Sequence, residues 1–391
     1  MTALAIDAPS AVVAPPDRRQ SWRVPATLFV GIALLLAVVV WQSSTHLPRG
    51  DDGIRPRVVA DSVLGGWLRY DAVWYVDIAN HGYFYAPGQQ SSVAFFPSYP
   101  LTVRAASHLT GDTPLAAMLV TFLSGLGVAL LFWRWCRDRL SPPARRVALA
   151  LLLVYPYAWY LYGTGYADAL YLAAALGAFV LLESGHPVLA GIAGAVATAA
   201  RPVGIAVLVG LVVVAACRRR ARGERLRMVD AGVLLAGAGI GSWCTYLWLR
   251  FGEPIAFIHA EEAPGWDQQA GLSTWFKESY WHVLMHGDRT FAARLTAQAI
   301  LGFVFLAAVP WVVRRFGWGY GTFTLVAVAV PMLGAGEFQG VGRYLLAAFP
   351  VFALIGEALA KRPRLATGTL AVSALTLVTL TSFFARGYYL S

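Results

Sequence analysis

The ionisable side chains of this 391-residue sequence gather at the ends of its apolar runs and avoid their middles. Asp71, Asp77, Asp168, Arg201, Glu253, Glu261, Glu262, Asp267, Glu337 and Arg343 all fall at such ends. Ion-coupled transporters keep ionisable groups near the middle of the membrane, where they serve as coupling sites. Placement at the ends points instead to chemistry at the membrane–water boundary, on a substrate with one lipid end and one polar end.

Residues 69–101, RYDAVWYVDIANHGYFYAPGQQSSVAFFPSYPL, crowd aromatic side chains around two aspartates and a histidine. A loop carries so many Trp, Tyr and Phe when they bury against something. Helical spacing over 66–81 separates the two acids. Trp67, Asp71, Trp74, Tyr75 and Ile78 share one stripe, whereas Tyr70, Val73, Asp77 and His81 lie on a more polar side. Asp71 is therefore the carboxylate on the aromatic face, where it needs a partner or a task. An ion pair with Arg69 or another arginine, or a helix cap, is the plainer alternative. Asp77 and His81, at i+4, imitate a metal pair, but a solvated polar face explains them as well. The His259–Glu262 run HAEE and the pair His282/His286 also have metal-like spacing, with no third positioned ligand, so no metal site is assigned.

The elements that must position these residues follow from composition. The chain is 58% hydrophobic and 13% charged, against roughly 25% charged in soluble domains. Its apolar runs approach the length that crosses a hydrocarbon core of ~30 Å, and in lipid such runs must be helices. The expected fold is an all-α polytopic bundle of about eleven transmembrane helices. The runs are 26–41, 114–133, 147–161, 167–182, 187–200, 203–217, 233–249, 295–313, 318–333, 344–360 and 365–385. Residues 1–25 read as a disordered cytoplasmic tail, and 26–391 as a single transmembrane domain. A basic flank before the first apolar core also fits a signal peptide. No small-x-small cleavage site follows, so an uncleaved anchor is expected.

The net charge of +10 does not mark a nucleic-acid binder. The basic residues cluster at run ends (RRQSWR, RWCRDR, RRRARGERLR, KRPR), which is the positive-inside pattern. It puts the N-terminus in the cytoplasm and the C-terminus outside, with outer loops at 42–112 and 250–291. Interfacial helices are expected in the first loop. Cys136, Cys217 and Cys244 lie in or beside apolar runs without a CxxC, and read as small buried side chains.

The segment at 69–101, with RYDAVWY, IANHGY and AFFPSYPL, strongly resembles the PIG-V-like mannosyltransferases, which are relatives of the second mannosyltransferase of GPI-anchor synthesis. Tyr166-Ala-Asp168-Ala is similar to that family's Tyr-Ser-Glu-Ser element, with Asp in place of Glu. Arg201-Pro-Val-Gly204 is similar to its Arg-x-x-Gly turn, and Gly342-Arg343-Tyr344 with Phe349-Pro350 to its late Arg-Tyr…Phe-Pro element.

The resemblance implies a GT-C-like glycosyltransferase of the cell membrane. Such an enzyme takes a sugar, mannose in this family, from a polyprenyl-phosphate carrier on the extracytoplasmic face. The acceptor would be a glycolipid, a lipoglycan or a protein hydroxyl. The resemblance also places the essential acid in the first outer loop, at Asp71. No cofactor is expected beyond the lipid-linked donor, with a divalent ion left open.

A polyprenyl phosphate is a good leaving group, so an inverting displacement needs one base, assigned to Asp71. Arginine forks suit the developing phosphate charge. Arg201 and Arg343 come first in that role, with Arg69 and Arg104 behind them. Trp74, Tyr75, Tyr83, Phe96 and Tyr99 are candidates to stack on sugar or line the lipid groove, or else belong to the interfacial aromatic belt. Asp168 and Tyr344 complete the substrate-binding set, with the reach of the shorter Asp168 in question. Trp266, Asp267, Trp275 and Trp281 of the second loop are candidates to shape the acceptor side. The competing functions are a lipid-linked-sugar flippase, which calls for polar residues along a path through the spans, and a non-catalytic scaffold, in which Asp71 is dispensable.

Overall fold

Every regular element among the described residues is helical, as the apolar runs require. The computed structural model describes residues 22–48, 50, 65–225, 227–266, 268 and 271–390. The expected tail lies outside these up to residue 21, as does Asp267.

The seventeen α-helices among the described residues are α1 (Arg23–His46), α2 (Asp71–His81), α3 (Ser98–Thr110), α4 (Thr113–Arg137), α5 (Pro142–Leu153), α6 (Asp168–Glu183), α7 (Pro187–Thr198), α8 (Ile205–Ala221), α9 (Ala238–Phe251), α10 (Ala256–Glu261), α11 (Leu272–Trp275), α12 (Glu278–His286), α13 (Arg289–Phe316), α14 (Trp318–Gly334), α15 (Val341–Tyr344), α16 (Phe349–Ala360) and α17 (Pro363–Ala385). Local chemistry sets several of the starts. Asp112 caps α4 by accepting from the Leu115 N–H at 2.6 Å, and Asp288 caps α13 by accepting from the Phe291 N–H at 2.8 Å. Proline stands in the first turn of α5, α7 and α17, where its missing N–H costs nothing.

The chain is a polytopic membrane protein, but eleven full-length spans are not what its helices provide. Six stretches are long and apolar enough to cross: α1, α4, Pro202–Ala221, Met228–Phe251, α13 and α17. A seventh arises if Val341–Ala347 and Phe349–Ala360, which meet at 81°, count as one broken span. The run at 147–161 breaks because α5 stops at Leu153, just before Tyr155-Pro156, and continues only as a 3₁₀ turn, Ala158–Leu161. The 16 residues of α6 reach only ~24 Å at 1.5 Å per residue. α7 and α14 are apolar but likewise short.

The helices give the molecule two distinct ends. At one end the basic termini interlock. Arg139, at the end of α4, pairs with Glu183, at the end of α6. Arg218 of α8 donates to the Leu182 and Glu183 carbonyls, and Arg315 of α13 pairs with Glu357 of α16 at 2.7 Å. At the opposite end lie α2, the start of α6, the end of α7, the end of α14, α15 and the end of α17. The two aromatic loops meet there as well. Phe96 and Val93 bury against Trp243, Leu247 and Phe257, and Gln90 donates to the Pro264 carbonyl at 3.2 Å. Of the cysteines, all free, Cys136 is buried as expected, but Cys244 is half-buried and Cys217 exposed.

Candidate active site

α2 begins at Asp71, later than the spacing over 66–81 predicts, because residues 66–70 form a turn. The Ala72 N–H donates to the Arg69 carbonyl at 3.2 Å. Tyr70, between them, has φ 54° and ψ −115°, the conformation of the first central residue of a type II′ turn, which glycine normally fills. The stripe behaves as predicted. Trp67, Tyr75 and Ile78 are buried and Asp71 and Trp74 half-buried, while the half-buried Asp77 and the exposed His81 are hydrogen-bonded to each other at 2.8 Å.

Asp71 faces a cavity of about 710 Å³ at the loop-bearing end of the bundle. Its Oδ2 accepts from Arg343 Nη1 at 3.2 Å. Among the described residues, its Oδ1 has no hydrogen-bond partner. Arg343 Nε lies 3.8 Å from Asp168 Oδ1, and that oxygen also pairs with Arg201 Nη1. The four side chains alternate in sign, Asp71–Arg343–Asp168–Arg201, and carry no net charge as a group. Asp168 and both arginines are buried, while Asp71 keeps 22% of its side chain exposed.

Aromatic faces seat the two cations. The Arg201 guanidinium lies 4.4 Å from the Tyr344 ring centre, and that of Arg343 lies 5.1–5.4 Å from the rings of Tyr344, Tyr160 and Tyr166. Sequence-distant elements bring this set together: the starts of α2 and α6, the turn after α7, and α15. Gly342 lets α15 approach closely, since a Cβ there would run into the Tyr157 ring.

Asp71, Tyr75, Phe96, Arg201, Arg343 and Tyr344 all line the cavity. Asp168 lies behind them, tied to both arginines. Trp74 stands one layer back, with ring centres 5.5 Å from Phe95 and 5.6 Å from Trp266, both of which line the wall.

Four other expected site residues occupy structural positions. Arg104 spends its fork on the Ala79 and Ile78 carbonyls, at 2.6 and 3.0 Å, closing the end of α2. Arg69 is buried, with Nη2 donating to the Ala385 carbonyl at 2.8 Å, which ties the turn before α2 to α17. Tyr99 is fully buried and donates to the Ala117 carbonyl at 2.8 Å; Tyr83 donates to the Phe95 carbonyl at 2.9 Å and packs on Trp243. Their polar atoms satisfy local backbone groups, a task that residue type alone does not distinguish from substrate binding.

Three further residues belong to the site. Tyr389 lines the cavity, with its ring 4.8 Å from that of Tyr70. The half-buried Glu261 lines it as well. Burial pushes its carboxyl up to about 7, and Arg201 opposes the shift. Tyr166 holds the turn at Tyr70. Among the described residues, no three His, Cys, Asp or Glu side chains are grouped as metal ligands.

Residues 56–222 match the family model for mannosyltransferase (PIG-V). The resemblance read from the motifs is thus borne out over that stretch, which contains Asp71, Asp168 and Arg201. GPI alpha-1,6-mannosyltransferase 2 of Cricetulus griseus is 29% identical over 170 residues, covering 41% of this chain and 33% of that protein. The Rattus norvegicus protein of the same name is 30% identical over 173 residues, covering 41% and 34%. The chain therefore spans about a third of the length of these relatives. Among solved structures, the apo oligosaccharyltransferase of Archaeoglobus fulgidus aligns with TM-score 0.48 and 11% identity, covering 93% of this chain and 56% of that one. ArnT from Cupriavidus metallidurans, bound to undecaprenyl phosphate, aligns with TM-score 0.43 and 17% identity, covering 94% and 77%.

Proposed function

We propose that the chain is a membrane glycosyltransferase that moves mannose from a polyprenyl-phosphate carrier to an acceptor hydroxyl, with inversion, on the extracytoplasmic face of the cell membrane. One observation carries this reading. A carboxylate with an uncommitted oxygen faces a cavity that two buried arginines also line, one of them paired with it.

The chemistry follows from that arrangement. Arg343 sets Nη1 on Asp71, turns Nε toward Asp168 and lies with Nη2 3.4 Å from the Tyr344 hydroxyl. Arg343 and Arg201 both line the cavity and offer it the positive charge that a phosphate needs, in a group that can pair with two phosphate oxygens. Asp71 Oδ1 accepts the proton of the acceptor hydroxyl as its oxygen attacks the sugar C1 from the face opposite the phosphate. The new C1–O bond forms as the C1–O bond to phosphate breaks, and the leaving phosphate needs no proton. Asp168 holds the two arginines apart and aimed. Tyr75, Phe96 and Trp266 offer faces for sugar or the first isoprene units. The acceptor is a glycolipid, a lipoglycan or a protein.

The test is transfer from radiolabelled polyprenyl-phosphate-mannose by membranes bearing the protein. Label appearing in a new glycoconjugate, with the anomeric configuration inverted, is the expected result. Labelled donor that changes leaflet without transfer would replace this reading with that of a flippase.

A further inference from the structure

We infer that Tyr166 is the positioning residue that sets where the Asp71 carboxylate stands. This rests on the reading of Asp71 as the base. The phenol of Tyr166 makes two hydrogen bonds to the main chain on either side of Tyr70. It donates to the Arg69 carbonyl at 3.0 Å and accepts from the Asp71 N–H at 3.1 Å. Tyr70, between them, is one of two non-glycine residues with positive φ among those described. A side chain in that conformation persists only where its surroundings over-determine it.

The Asp71 N–H is also one of the first donors of α2, which has no partner within the helix. The residue before the helix supplies no side-chain cap. The Tyr166 hydroxyl takes that task from 95 residues away.

Tyr166 is itself fixed. It is buried, with ring centres 4.9 Å from Tyr160 and 6.4 Å from Phe384, and Arg343 lies against its face. One side chain therefore sets the backbone of the base by its hydroxyl and seats the phosphate-facing arginine by its ring. Removing only the hydroxyl separates the two. The ring, the packing and Arg343 stay, while the turn that aims Asp71 loses both of its hydrogen bonds to the phenol.

The experiment is a four-member set of purified full-length proteins: wild type, Tyr166→Phe, Asp71→Asn and the double variant, assayed with labelled polyprenyl-phosphate-mannose. Tyr166→Phe is expected to lower kcat about 10–100-fold, because small misplacements of a reacting group have effects of that size, with KM for the donor within about twofold. In the Asp71→Asn background the same change should cost little more, since the group being aimed is gone. A kcat for Tyr166→Phe equal to wild type overturns the inference, as does an equal loss in both backgrounds or a loss confined to KM. Full transfer by Asp71→Asn sinks the base assignment itself, a separate result. Should Tyr166→Phe fold poorly by itself, it is made on Tyr70→Gly, whose turn needs no holding, and compared with Tyr70→Gly alone. Glycine adopts the positive φ without strain, so the Tyr166→Phe loss should shrink several-fold there, and an undiminished loss counts against the inference.

Discussion

Arg343 Nη1 stands 3.2 Å from Asp71 Oδ2, across 272 residues of sequence. The pair joins α2 to the short helix α15 and gives the cavity both a proton acceptor and a cation. Its neighbour Asp168 completes a buried chain of alternating charge that ends at Arg201.

Replacing Arg343 by lysine keeps one positive charge but removes the fork. An ammonium is a point charge, without the separate Nη1 and Nε that reach Asp71 and Asp168 and without a planar edge for a phosphate. Arg343→Lys is expected to lower kcat/KM for the lipid-linked donor about 100-fold, in line with loss of a bidentate phosphate contact. Steady-state transfer assays over a range of donor concentrations check this.

Asp168 is the shared anion of two buried guanidinium groups, so its loss leaves uncompensated charge. Asp168→Asn should destabilise the protein by about 3–5 kcal/mol, the usual cost of removing one partner of a buried pair. Asp71, which opens to the cavity, should cost far less as Asn. Thermal unfolding of both variants in detergent checks the contrast; equal melting temperatures would contradict it.

How much of this could be read from the chain depends on what the signal encodes. The apolar runs betrayed a helical membrane protein, and the stripe through Trp67, Asp71 and Tyr75 separated the cavity acid from the solvated Asp77. Run length does not show where a helix breaks: Tyr155-Pro156 and the bend before Phe349-Pro350 interrupt helices that hydropathy alone reads as continuous. Arg104 and Tyr99 stand away from the cavity for a reason the sequence does not carry. Their hydrogen bonds go to backbone carbonyls brought near by folding, and carbonyls have no sequence signature. Tyr389 lay in a short tail with no pattern, yet it packs on Tyr70 at the cavity wall.

Glu261 gives the site a pH signature. Its folded-state pKa is raised from the ordinary value of 4.5 to about 7 by burial. Between about 4.5 and 7 the folded protein therefore holds a proton that the unfolded chain has released, so stability falls as pH rises through that window and the penalty is complete above it. Glu261→Gln removes the term. The melting temperature of Glu261→Gln relative to wild type should rise from pH 4.5 to pH 7 and then level off. A difference that does not change with pH would contradict the assignment.

The most direct test of the account is the rate of mannose transfer from labelled polyprenyl-phosphate-mannose by purified wild type and Asp71→Asn. Asparagine keeps the shape of the side chain and can still meet Arg343, but it cannot take the acceptor's proton. The account predicts intact donor binding and a kcat lowered about 10²–10⁴-fold, the range expected for loss of a general base. Transfer at the wild-type rate by Asp71→Asn would contradict it.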